Sequence, residues 1–362
     1  MKRLRKMDRP EIHPYFSIHG RKLSFDDLVE LSYSFIKEGD DFEKHIGEFI
    51  LDWIDDSPII SVQTSGSTGA PKIVSIKKEQ MVQSALATGE YFNLTPKKSV
   101  LLCLSAEFIA GKMMIVRALV LGLDLHLLSP TSSPLQSVKR TFSFGAMVPL
   151  QVENSLSKLG QIETLIIGGA PISIALKEKL KDIGNTSYET YGMTETLTHI
   201  AVKPLNYGVS DQTPFSILPG IEISIDERGC LVINAPKISD NPVITNDLVD
   251  LVSKTEFKWL GRFDNIINSG GVKLRPEQIE DKLSNVIDQS FFIGSLPDPK
   301  LGEQLVLIIE GKADPESLMQ DIVASTLLSK YEIPKQIKIL PVFLRTNSDK
   351  IKRKETMDLL KA

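Results

Sequence analysis

The sequence predicts an α/β protein in two parts, a large N-terminal layered α/β domain and a small C-terminal α+β domain. Three observations lead there. Short β-rich runs alternate with helical patterns through the first two thirds of the chain. Between Gly220 and Leu260 the runs crowd together, with a turn-like Asp226–Gly229 between two of them. From Phe263 onward about a hundred residues read as a self-contained set of strands and helices. With 362 residues there is room for two domains of about 100–200 residues each. Hydrophobic (42%) and charged (24%) fractions near the globular average exclude disorder, collagen and coiled coil.

In the first part, strands are expected at 59–63, 73–76, 100–104, 123–128 and 164–167, all rich in Ile, Val and Leu. Helices at 79–92, 112–121 and 172–181 separate them in the manner of crossover units. The closely spaced runs at 221–225 and 231–234 read as antiparallel. Beyond them come a strand at 265–268 and a helix at 276–286, whose Pro276 suits a first helical turn. Strands at 291–294 and 304–309, a helix at 315–328, a strand at 336–340 and a basic tail helix complete the chain. The expected cut gives an N-terminal domain of 1–262 and a C-terminal domain of 263–362.

Charge and cysteine usage remove several function classes. A formal net charge of -4 gives no basic excess for a nucleic-acid partner. Cys103 and Cys230 lie far apart without metal-type spacing, which argues for a reducing, cytoplasmic location and against disulfide or zinc scaffolds. The basic start (Lys2, Arg3, Arg5, Lys6) is followed by polar sequence rather than a secretory apolar stretch. The most apolar segment, 113–128, is interrupted by Arg117 and Asp124 and is shorter than the roughly 20 residues a spanning helix requires, so no membrane span is expected.

The strongest local signal is TSGSTGAPK, running from Thr64 to Lys72 directly after an apolar strand. Glycines let backbone amides converge on an anion, hydroxyls add donors and the closing lysine adds a point charge, as a polyphosphate cradle needs. The glycines are three apart and Pro71 precedes the lysine, so this is not a Walker A loop. On composition alone, an ordinary Ser/Gly surface turn explains the segment equally well.

The order of residues decides otherwise, because the loop closely resembles the phosphate-binding signature of the adenylate-forming superfamily: acyl-CoA synthetases, adenylation domains and luciferases. Further segments follow in that family's order: GGAP at Gly168–Pro171, YGMTE at Tyr191–Glu195, TND at Thr245–Asp247, GRFDNIINSGGVKLRPEQIE from Gly261, and Lys350 near the end. The resemblance implies an AMP-forming acid-thiol ligase that uses ATP and Mg2+, adenylates a carboxylic acid and passes the acyl group to CoA. Because only about sixty residues precede the loop, it also implies an N-terminal domain shortened at its start.

By that resemblance Thr64, Ser65, Gly66, Ser67, Thr68, Gly69 and Lys72 cradle the phosphates. Gly168, Gly169, Ala170 and Pro171, with Tyr191, Gly192 and Met193, flank adenine, where glycines permit close approach and an aromatic face stacks. Thr194 contacts the α-phosphate and Glu195 holds Mg2+, a hard cation that takes one or two carboxylates beside phosphate oxygens. Asp247 and Arg262 hold the ribose hydroxyls, although Asn246 stands where the family usually has glycine. Lys350 bridges the substrate carboxylate and the adenylate, with Asp349 in place of the usual preceding glycine. Asp264 matches the hinge about which the small domain turns between half-reactions, and Gly270 and Gly271 line the CoA channel.

A narrower resemblance joins TETLTHIA (Thr194–Ala201) and FIAGKMMIVRAL (Phe108–Leu119) to the o-succinylbenzoate-CoA ligases of menaquinone biosynthesis. That acid is activated at its aliphatic carboxylate, and its benzoate must meet a donor in the pocket. Phe108 is expected to line the acid pocket, with Lys112, Thr198 and His199 as candidate donors. Arg117 is less favoured, since it lies five residues and about 140° around a helix from Lys112. Other readings stay open: a ligase for another aryl or short-chain acid, a carrier-protein-loading enzyme, or a non-catalytic nucleotide binder. The sequence leaves the oligomeric state open, a homodimer included.

Overall fold

The computed structural model describes residues 12–64, 72–206, 209–210, 213–284, 286–345 and 351–360, with Gln63, Thr64 and Lys72 described as backbone alone. The chain divides into two compact units: 1–171 with 179–222 and 233–243, and 172–178 with 223–232 and 244–362. No described helix is long and apolar enough to cross a membrane.

In chain order the first unit opens with a small hairpin, β1 (Ser17–Ile18) and β2 (Arg21–Lys22), and two helices, α1 (Phe25–Glu38) and α2 (Asp41–Ile54). The sequence reading left 12–58 without elements, yet both helices are capped, α1 reciprocally and α2 from one side. The Ser24 hydroxyl accepts from the Asp27 amide while the Asp27 carboxylate accepts from the Ser24 amide, and Glu43 accepts from the Asp40 amide at 2.9 Å. Ile46, Phe49, Ile50 and Trp53 recur at helical spacing and are buried.

Next come β3 (Ile59–Thr64), β4 (Lys72–Lys77), α3 (Lys78–Tyr91), β5 (Ser99–Leu102), α4 (Ile109–Leu121), β6 (Asp124–Leu127), β7 (Phe142–Met147), α5 (Pro149–Glu153), β8 (Ile162–Ile167) and α6 (Ile174–Lys181), the last of which belongs mostly to the second unit. They are followed by β9 (Thr186–Gly192), β10 (His199–Pro204) and β11 (Phe215–Ile217). The main sheet of this unit runs β11-β10-β9-β8-β7-β5-β6-β1-β2. From β9 to β1 neighbouring strands pair in parallel, and β10 and β11 add an antiparallel edge. Buried Leu101, Leu125, Phe144 and Leu165 are what a sheet covered on both faces requires. β3 and β4 depart from the crossover expectation: they pair antiparallel, Ile59↔Lys77 to Thr64↔Lys72, in a sheet of their own. Alternating buried Ile60 and Val62 with exposed Ile59 and Ser61 is the period of a hairpin with one covered face.

In the second unit β12 (Glu222–Ile225), β13 (Cys230–Asn234), β14 (Val243–Leu251) and β15 (Glu256–Arg262) lie side by side in that order, β14 and β15 antiparallel. A second sheet follows from β16 (Ile267–Ser269), β17 (Val272–Leu274), α7 (Pro276–Leu283), β18 (Phe291–Asp298), β19 (Gly302–Glu310), α8 (Pro315–Ala324), β20 (Gln336–Leu340) and α9 (Arg353–Asp358). β19 pairs with β16 and β18 antiparallel and with β20 in parallel. Its residues alternate between two cores. Leu305, Leu307 and Ile309 pack with Ile279, Leu283 and Ile322, whereas Val306 and Ile308 pack with Phe292, Leu340 and Phe343.

Candidate active site

In the first unit, parallel pairing of β8 with β9, from Thr164↔Thr186 to Ile167↔Glu189, brings two carboxyl-terminal strand ends to one edge, where open α/β sheets carry ligands. Gly168, Gly169, Ala170 and Pro171 leave β8 there, and the Thr190 hydroxyl donates to Ile167 O at 3.1 Å. Tyr191 is half-buried, its ring 5.9 Å from that of Phe215.

After Gly192 the chain turns through Met193 and a 3-10 turn, Thr194–Thr196, into antiparallel β10. The turn is tight: a Cβ at Gly192 would lie 2.3 Å from Thr198 O. Buried Thr196 accepts from the Met193 amide at 3.1 Å, and Leu197 takes φ 64°, a conformation costly for a non-glycine residue. This frame leaves Thr194 half-buried and Glu195 exposed at the crest. Among the described residues no group of three His, Cys, Asp or Glu can cage a metal. The lone Glu195 carboxylate suits a hard cation that keeps water and phosphate oxygens as its other ligands.

Below the turn lies a cluster that the sequence reading undervalued. Helix α4 is buried on all sides from Met113 to Leu119, and Arg117, in its middle, is only 2% exposed. Its guanidinium donates to Thr198 Oγ1 at 3.4 Å and to Met114 Sδ at 3.3 Å. Thr198 Oγ1 in turn lies 3.3 Å from Nδ1 of buried His199. An arginine can only donate, so the threonine oxygen accepts from Arg117, and its contact with Nδ1 joins the imidazole to the same cluster. Arg117 Nε and His199 Nε2 make no hydrogen bond to any described residue, and no described carboxylate pairs with Arg117. Burial brings the guanidinium down to about 10, and burial with the Arg117 charge holds His199 well below the ordinary histidine range.

The other acid-pocket candidates lie differently. Phe108 precedes α4 and is half-exposed. The Lys112 ammonium sits 5.1 Å over the Phe49 ring of α2, and burial lowers its pKa against the opposing charge of Asp52. Lys112 therefore faces α2, while Arg117 is the cation that reaches Thr198.

In the second unit, Asp247 and Arg262 are register partners on β14 and β15. Buried Asp247 accepts from Trp259 Nε1 at 3.2 Å and lies 3.7 Å from Arg262. Asn246 answers the question its substitution for glycine raises: its amide nitrogen donates to Asp264 at 2.9 Å, and its oxygen accepts from Arg228 at 2.8 Å. Arg228 also bonds Asp226 and Thr245 O and lies over the Phe263 ring. Gly270 and Gly271, at φ 59° and 84°, make the turn between β16 and β17, and the Gly270 amide donates to Leu301 O. Ser65, Gly66, Ser67, Thr68, Gly69 and Lys350 lie outside the described residues; the backbones of Thr64 and Lys72 are paired at the end of the β3–β4 ladder from which the connecting segment leaves.

The family described as AMP-binding enzyme matches residues 30–235, more than half of the chain. The chain belongs to the AMP-binding enzyme family. It is 37% identical to a solved acyl-CoA synthetase (AMP-forming)/AMP-acid ligase II-like protein from Dyadobacter fermentans, over 91% of this chain and 98% of that one, with a TM-score of 0.61. It is 26% identical to the 2-succinylbenzoate--CoA ligase of a Listeria monocytogenes strain, covering 80% of this chain and 68% of that protein. The O-succinylbenzoate coenzyme A synthetase of Bacillus subtilis, solved with ATP and magnesium ion, shares the fold at a TM-score of 0.71 and 20% identity, over 86% of this chain and 74% of that one. This family member is accordingly an AMP-forming acyl-CoA ligase.

Proposed function

We propose that this ligase activates o-succinylbenzoate with ATP, serves menaquinone biosynthesis and acts in the cytoplasm. The observation that carries the choice of acid is the Arg117–Thr198–His199 cluster, a buried cation that no described carboxylate pairs with and whose Nε makes no hydrogen bond to a described residue. A buried unpaired guanidinium is costly, and a substrate's second carboxylate is the group that offsets it. A fatty acid offers nothing to such a cluster, and simple benzoate or succinate lacks the combination of a reacting aliphatic and a resting aromatic carboxylate.

In this reading the loop Thr64–Lys72 cradles the phosphates, Tyr191 and Gly168–Pro171 flank adenine, and Asp247 and Arg262 hold the ribose hydroxyls. The aliphatic carboxylate oxygen bonds the α-phosphorus as the bond to pyrophosphate breaks. Thr194 donates to the α-phosphate, and Lys350 neutralises charge shared between acid and adenylate. Glu195 would hold Mg2+, which supplies further neutralisation of the phosphate oxygens. The CoA sulfur then bonds the acyl carbon, AMP leaves, and Gly270 and Gly271 border the path of pantetheine. Residues 263–362 are the body that carries Lys350 and turns about Asp264 between the two steps, since one arrangement cannot present both the lysine and an open thiol channel.

The test is acid-dependent AMP and thioester formation with Mg-ATP, CoA and a panel of o-succinylbenzoate, benzoate, succinate and a medium-chain fatty acid. Selective turnover of o-succinylbenzoate is expected. Selective turnover of any other acid overturns the substrate, and adenylate formation without CoA thioester overturns the acceptor.

A further inference from the structure

The described residues on either side of Lys350 are anchored from several directions, all within the second unit. Arg345 and Ile351 form an antiparallel bridge across the segment 346–350. Lys352 N donates to Leu344 O at 2.7 Å, and Leu344 N donates to the hydroxyl of fully buried Thr356 at 3.2 Å. Ile351 packs against the core of Phe292, Val306, Ile308, Leu340 and Phe343, and Arg345 is paired with Glu310.

The strongest anchor is an ion pair made across 73 residues. Arg353, the first residue of α9, grips Glu280 of α7 with two parallel bonds of 2.7 and 2.6 Å. Glu280, 16% exposed, also accepts from the Ile293 amide of β18 at 2.7 Å, and the guanidinium lies over the Phe292 ring. Fork-to-fork geometry fixes direction as well as distance, which a lysine cannot do. Burial pushes the Glu280 carboxyl up, and the charge and hydrogen bonds of Arg353 oppose that rise.

We infer that Glu280 and Arg353 are positioning residues for the adenylation half-reaction: they dock the start of α9 on α7 and β18, and so hold Ile351 and Lys352, the described chain that directly follows Lys350. The inference rests on the reading of Lys350 as the adenylating cation. Lys350 is three residues before Arg353 in the sequence and is bonded directly to Ile351. Because a misplacement of about 1 Å in a catalytic group costs on the order of a hundredfold in rate, a loosened anchor registers as lost chemistry before it registers as lost folding.

The experiment measures both half-reactions in full-length Arg353→Met, Arg353→Lys and Lys350→Ala: acid-dependent pyrophosphate release, and thioester formation from CoA and preformed acyl-adenylate. Arg353→Met is expected to lower the adenylation kcat at least tenfold, with the thioester step within twofold of the parent. Arg353→Lys, which keeps the charge and loses the fork, should fall between, and it decides the matter if the methionine variant does not fold. Equal loss in both half-reactions makes the pair a purely structural tie and overturns the inference, as does no loss in either. Normal adenylation by Lys350→Ala would instead remove the reading of Lys350 itself, a failure distinguishable from the other two.

Discussion

Two arginines of this molecule, Arg117 buried and Arg353 half-buried, have opposite surroundings. Arg353 meets a carboxylate fork-to-fork and a ring face, so its charge is matched within the protein. Arg117 is more deeply buried and, among the described residues, its polar partners are a hydroxyl and a thioether, beside the field of a neighbouring histidine. A matched cation holds elements together, whereas an unmatched one is a standing cost that a ligand can relieve. The contrast separates an arginine that serves architecture from one held ready for a substrate anion.

The largest expected effect that sharpens this contrast is on stability. Glu280→Ala strands the Arg353 charge and should lower unfolding stability by about 2 kcal/mol or more, whereas Arg117→Met removes a stranded charge and should raise ligand-free stability by about 1 kcal/mol. Urea midpoints at pH 7 with unchanged m-values check both. Destabilisation of similar size in the two variants would break the comparison.

Acid should act next. His199 is held below the ordinary 6.5 in the folded protein, so below that pH the unfolded chain takes up a proton that the folded chain refuses. Its contribution is therefore present above pH 6.5 and is lost on acidification at about 1.4 kcal/mol per pH unit. Glu280, whose folded value lies above the ordinary 4.5, carries the opposite sign, its contribution growing as pH falls. Urea titrations between pH 7 and 5.5 should show the slope, and His199→Gln should flatten it; a slope that survives the substitution assigns it elsewhere.

The smallest effect concerns Asn246. Its bond to Asp264 is exposed, so Asn246→Gly should cost about 0.5–1 kcal/mol, read as a shift in the urea midpoint. A loss of several kcal/mol would mean that the Arg228–Asn246–Asp264 chain is a core element of its unit.

How much of this was legible in the sequence depended on whether the signal was local. Strands such as β5, β6 and β20 announce themselves as apolar runs, and Pro276 and Pro315 mark helix starts. Helices α1 and α2 were equally legible through their caps and the spacing of Ile46, Phe49, Ile50 and Trp53, but polar intervening residues masked that signal. The β3–β4 hairpin was misread because an apolar run specifies a strand and leaves its partner open. For the acid pocket, the angular argument took Lys112 as the reference face. A helix that is apolar all round is buried all round, so an arginine at its centre is unavoidably inside, and that inference was available for Arg117. The Glu280–Arg353 pair was not available, since nothing local links residues 73 positions apart.

The most direct test of the account compares o-succinylbenzoate with its analogue lacking the ring carboxylate, measuring kcat/KM for acid-dependent AMP formation in the parent and in Arg117→Met. The parent should prefer o-succinylbenzoate by on the order of a hundredfold, as sites with stranded buried donors reject ligands that leave them unpaired, and Arg117→Met should erase the preference. Equal turnover of the two acids by the parent, or a preference that Arg117→Met leaves intact, would contradict the account.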